Sequence, residues 1–104
     1  MQRLGPRFRQ AASHAMSFPM SPAQVEALLY ELCVVLGFCL PPEEQTRLRE
    51  SPPTDVDAFT DAVIRAEGLD PLADIPLHMR RDVRSRVAEH FRKAEDEKQF
   101  GHRA

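Results

Sequence analysis

The sequence predicts an all-α fold: a small helical bundle of three main helices plus one short helix, with a flexible N-terminal segment in front. Three observations lead there. Apolar residues recur at spacings of three and four through three separate stretches, as on one face of a helix with 3.6 residues per turn. Residues suited to capping, with prolines and glycines, punctuate those stretches where helices should begin and end. No run alternates apolar and polar residues with the two-residue period of a half-buried strand.

The first main helix begins at Ser21-Pro22-Ala23-Gln24. Ser21 can cap, Pro22 suits the first helical position, and Gln24 completes a capping box. Val25, Leu28, Leu29, Leu32, Cys33 and Leu36 then follow on one face. Gly37 and Pro41-Pro42 supply the stop, with Phe38 and Leu40 as apolar closers. On the opposite side of this helix lie Ala27, Tyr30 and Val34, flanked by Glu26 and Glu31. A second apolar stripe has two readings: a helix contacted from both sides within one chain, or the seam of a homodimer.

The short helix follows from Pro42, with Glu43 and Glu44 at its positive end and Leu48 as its one strongly apolar residue. That pattern predicts a helix lying across the surface. Thr54 is expected to open and cap the next main helix, whose buried stripe is Val56, Phe59, Val63 and Ile64. Gly68 suits a left-handed cap, with Leu69 folding back onto the last turn. Pro71 and Pro76 break the connection that follows. Leu72 and Ile75 are expected to pin it to the core, and Asp74 to cap the final helix. That helix runs from about Ile75 to Asp96 or slightly further, with Met79, Val83, Val87, His90, Phe91 and Ala94 on one face. Arg80 and Arg84 flank this face on one side, Arg86 and Lys93 on the other.

The predicted core is Val25, Leu28, Leu29, Leu32, Leu36, Val56, Phe59, Val63, Ile64, Val83, Val87 and Phe91. The organisation is a basic, flexible segment over 1–20, one helical domain over 21–98 and a frayed tail over 99–104. A misassigned start or a transit peptide would each account for the first segment.

With 104 residues, 42% of them hydrophobic and 29% charged, the chain has the composition of one globular domain. A domain this short buries a modest fraction of its surface, so a partner or second copy would add stability. The net charge of −2 conceals a segregation: +3 over residues 1–20, −8 over 21–76 and +3 over 77–104. An acidic middle and a basic end can neutralise each other within the fold. The longest apolar run, Leu32 to Leu40, is far too short to cross a bilayer, so no membrane partner is expected.

Cys33 and Cys39, if both helical, sit on different faces and too far apart for a disulfide. They read as free, buried thiols and point to a reducing, cytoplasmic location, with an organellar matrix as the alternative. His14, His78, His90 and His102 are scattered without the spacing of a metal helix, so no metal or other cofactor is expected. Cys33 and His90 are the one conceivable nucleophile and base, yet the apolar setting of Cys33 disfavours a thiolate. His90 reads as a core-edge histidine bonded to a carbonyl.

The glycines at 5, 37, 68 and 101 are isolated, so there is no phosphate-binding loop. Catalytic residues are therefore expected to be none. Arg80, Arg81 and Arg84 form a candidate basic surface, and nucleic-acid binding through the final helix is the alternative function. The long two-proline connection argues against helix-turn-helix geometry, and interspersed acids argue against phosphate. The reading that remains is a non-catalytic protein-interaction module, a homodimer through Ala27, Tyr30 and Val34, acting as a regulator or inhibitor of a partner protein.

Overall fold

The computed structural model describes residues 18–101, which form four helices and, among those residues, no strand. Helix α1 spans Pro22–Leu36, α2 Pro42–Glu50, α3 Val56–Ala66 and α4 Leu77–Gly101. Most of the N-terminal segment and the end of the tail, residues 1–17 and 102–104, lie outside the described residues. The predicted bundle is therefore present: three main helices and a short one.

Helix α1 starts as its first four residues dictate. The Ser21 hydroxyl accepts from the Gln24 N–H at 3.1 Å, and the Gln24 side chain accepts from the Ser21 N–H at 2.8 Å. These bonds satisfy two of the donors that a helix start leaves orphaned. Helix α3 is capped one residue later than expected. The Asp55 carboxylate, not Thr54, accepts from the Ala58 N–H at 2.7 Å; a charged acceptor makes the stronger bond. Gly68 takes the left-handed conformation at φ 88°, and the Leu69 N–H donates to the Ile64 carbonyl at 3.2 Å.

Helix α4 is the floor of the bundle. Its ridge of Val83, Val87, Phe91 and Ala94 is buried, and α1 and α3 each pack against it. Val25, Leu28 and Leu32 of α1 and Phe59, Val63 and Ile64 of α3 are fully buried. Phe59 meets Phe91 edge to face, with ring centroids 6.0 Å apart, the arrangement that the ring quadrupoles favour. Among the described residues Thr60 is the one buried polar residue, and its hydroxyl donates to the Val56 carbonyl at 2.8 Å. Of the predicted core only Leu36 is partly exposed, because α1 ends there.

Several expectations are corrected. Phe18 and Met20, assigned to the flexible segment, pack on the core: Met20 is buried, and the Phe18 ring lies 5.7 Å from that of Phe91. The far end of α4 meets them. Gln24 donates to Glu97 at 2.6 Å and the Lys98 ammonium sits over the Phe18 ring, so the helix continues past Asp96 to Gly101. Asp74 does not cap α4. Its carboxylate accepts from the Asp70 N–H at 2.9 Å, closing the 70–74 turn, and Pro76 stands just ahead of the helix. Within that turn Leu72 is exposed, and Pro71 and Ile75 supply the inward contacts.

The largest correction concerns Cys33 and Cys39, which form a disulfide with Cα atoms 4.3 Å apart. A continuous helix would separate them by about 9 Å along its axis. The helix stops short of that. Gly37 turns left-handed at φ 79°, and the Phe38 N–H donates back to the Leu32 carbonyl at 3.0 Å. The connector therefore doubles over the last turn of α1, with Phe38 and Leu40 buried and Cys39 above them. Helix α2 then lies against α1 through Leu48.

Two stability outcomes follow from this packing. Phe59→Ala should destabilise the fold by about 3–5 kcal/mol in denaturant unfolding, the range for emptying a buried aromatic site. Replacing both cysteines by serine should cost about 2 kcal/mol, the loop-closure value for so short a ring. Unchanged unfolding midpoints would contradict either statement.

Candidate interaction surface

Helix α1 has two apolar faces with different fates. The face of Val25, Leu28, Leu29 and Leu32 is buried in the bundle. The opposite face is open: Tyr30 is 71% exposed and Val34 62%, and Ala27 is exposed beside them. Among the described residues, therefore, no part of the chain contacts α1 on that side. Ala23 is also exposed and extends the stripe. It escaped the sequence reading because it sits in the capping turn, yet the run Ala23, Ala27, Tyr30, Val34 has the 4-3-4 spacing of a helix-packing seam.

One margin of this face is held by a cross-helix cluster. The Glu31 carboxylate accepts from the Arg86 guanidinium at 2.5 Å through Oε2 and meets His90 Nε2 at 2.7 Å through Oε1. An ionised carboxylate only accepts, so Nε2 carries the hydrogen in this contact. The histidine is thus at the edge of the core as expected, but it bonds to a side-chain carboxylate instead of a backbone carbonyl. The hydrogen bonds from His90 and then Arg86 hold the Glu31 pKa below its usual 4.5, against a smaller upward push from burial.

The candidate basic surface is largely neutralised. Arg80 donates to Asp61 at 2.7 Å, and Arg84 Nε donates to Asp57 at 2.7 Å. The Arg84–Asp57 hydrogen bond lowers the Asp57 pKa and raises that of Arg84. Arg81 remains exposed between them. The −8 segment and the basic helix do meet within the fold: α3 takes Arg80 and Arg84, and α1 takes Arg86. The opposite flanks assigned to these arginines from helical periodicity are the ones they occupy.

The conceivable Cys33–His90 pair is not assembled, since Cys33 is bonded to Cys39 and His90 to Glu31. Among the described residues no group of three His, Cys, Asp or Glu side chains converges as metal ligands. An open groove of about 480 Å³ runs past Phe18, Met20, Gln24, Ala94, Glu97 and Lys98. A shallower cleft of about 280 Å³ lies between α2 and α3, at Leu48, Ala62 and Arg65. Neither groove is lined by a histidine or a cysteine. No helix among the described residues is long and apolar enough to cross a membrane. No family model, curated protein or solved structure matches the chain.

The Glu31 cluster sets an acid limit with a definite sign. A carboxylate whose folded pKa is lowered stabilises the fold fully above its unfolded value, and that stability is lost as pH falls through the folded value. Below pH 4.5 the unfolding midpoint of the natural protein should therefore fall more steeply than that of Glu31→Gln. Parallel pH profiles would contradict the role given to this cluster.

Proposed function

We propose that this protein is a non-catalytic protein-interaction module whose docking element is the outer face of α1, and that it pairs there with a second copy of itself. The observation that carries the reading is the exposure of Tyr30 and Val34 on a helix whose other face is fully buried. Apolar side chains of this size, aligned on one rigid element, gain from being covered. A module of this kind acts by occupancy, as a regulator or inhibitor of a partner protein.

Binding of nucleic acid along α4 is the competing reading. It is weakened because phosphate would have to displace Asp61 and Asp57 from Arg80 and Arg84. The Cys33–Cys39 disulfide also removes the free-thiol argument for a reducing, cytoplasmic location and favours an oxidising compartment.

Light scattering tests the docking element. Val34→Lys should lower the solution mass from two copies to one while leaving the helical circular dichroism signal unchanged, because Val34 contributes nothing to the core. A two-copy mass that survives the substitution would overturn the proposal.

A further inference from the structure

The exposed stripe on α1 carries more information than its apolar character. Its spacing of four, three and four is the same read in either direction, so it is symmetric about a point midway between Ala27 and Tyr30. Its side chains are not symmetric. The N-terminal half presents two alanines, Ala23 and Ala27, and the C-terminal half presents Tyr30 and Val34. A second α1 laid parallel would set alanine against alanine, leaving a gap, and tyrosine against tyrosine, forcing the helices apart. Laid antiparallel, it sets Ala27 against Tyr30 and Ala23 against Val34, so each large residue meets a small one and the two axes stay level. Alternation of large and small across facing positions is what lets helices pack to the density of a protein interior.

Charge points the same way. The first turn of α1 holds no acidic residue and its last turn no basic one, so the partial charges at its two ends are not offset by charged side chains of the helix itself. Antiparallel pairing brings the positive N-terminal end of one copy beside the negative C-terminal end of the other; parallel pairing brings like ends together. Of the two acids on α1, Glu31 is already matched by Arg86 and His90 of its own chain.

We infer that two copies of this chain pair through α1 antiparallel about a two-fold axis between Ala27 and Tyr30. The inference rests on the docking element proposed above and adds to it the register and direction. From Ala23 to Val34 the stripe is about 16 Å long. A single helix pair of that length belongs to the small, weak class of interfaces, below roughly 1,200 Å², so the mass must be followed over a concentration series.

The test uses the full chain in four forms: natural, Val34→Lys, Ala23→Glu, and the two substitutions together. The expected result is that the natural protein reaches the two-copy mass, each single variant stays at one copy, and the double variant returns to two copies. In the antiparallel register Lys at 34 faces Glu at 23 of the other copy, twice per pair; in a parallel register like charges would face each other. Single variants that lose pairing with a double variant that does not regain it would overturn the register while leaving α1 as the docking element. Pairing that survives Ala23→Glu alone would also overturn the register. A natural protein that keeps the one-copy mass at every concentration, or a Val34→Lys variant that still pairs, would overturn both the inference and the reading beneath it. Circular dichroism of all four forms, with substitutions only at exposed positions, separates loss of pairing from loss of fold.

Discussion

Helices α1 and α3 both rest on the ridge that Val83, Val87, Phe91 and Ala94 form along α4, and the remaining structure depends on that contact. Phe91 is its centre. One side of its ring takes the edge-to-face contact with Phe59 of α3, and Phe18 closes over it from the segment before α1. Because α4 supplies the common floor, the outer side of α1 is not needed to build the core. A helix with two apolar faces can then spend one on folding and present the other to solvent, which is the condition for a docking surface.

The charge pattern obeys the same geometry. Arg80 and Arg84, four residues apart on α4, project to one side of the buried ridge and Arg86 to the other, where they find carboxylates of different helices: Asp61 and Asp57 from α3, Glu31 from α1. Partly exposed ion pairs of this kind contribute little each, so their main effect is on which surfaces remain charged. They take up Arg80, Arg84 and Arg86, which could otherwise have met phosphate, and leave the α1 stripe as the more distinctive exterior feature.

Much of this was legible in the sequence. Ser21, Pro22 and Gln24 announced the start of α1, Gly68 and Leu69 the end of α3, and the three-and-four spacing identified the buried stripes of α1, α3 and α4, while Met20, Phe38, Leu40, Leu48 and Ala94 completed a core wider than the predicted one. These signals are local: caps and periodicity act within a turn or two of backbone. What could not be read was set by the chain turning back on itself. The disulfide was misjudged because Cys39 was projected along a helix that Gly37 had already ended. Leu72 looked like an anchor by hydrophobicity, whereas the 70–74 turn closed by Asp74 points it outward and Pro71 inward. Met20 looked like part of a basic, flexible segment, yet the length of α4 gives it and Phe18 a surface to pack on. The site was half legible: Tyr30 and Val34 were visible as a second stripe, but whether another part of the chain covered them depended on tertiary packing.

The central claim is that one ridge holds α1 and α3 in a single cooperative unit. Native-state hydrogen exchange over a denaturant series tests it most directly, because it reads the opening free energy of each helix separately. Amides facing the core at Leu28 and Leu32 in α1, Val63 and Ile64 in α3 and Val87 and Phe91 in α4 should converge on one opening free energy equal to that of global unfolding. If the α1 or α3 amides open at a distinctly lower free energy while α4 stays protected, the helices are held independently and the shared ridge is not what unites the fold.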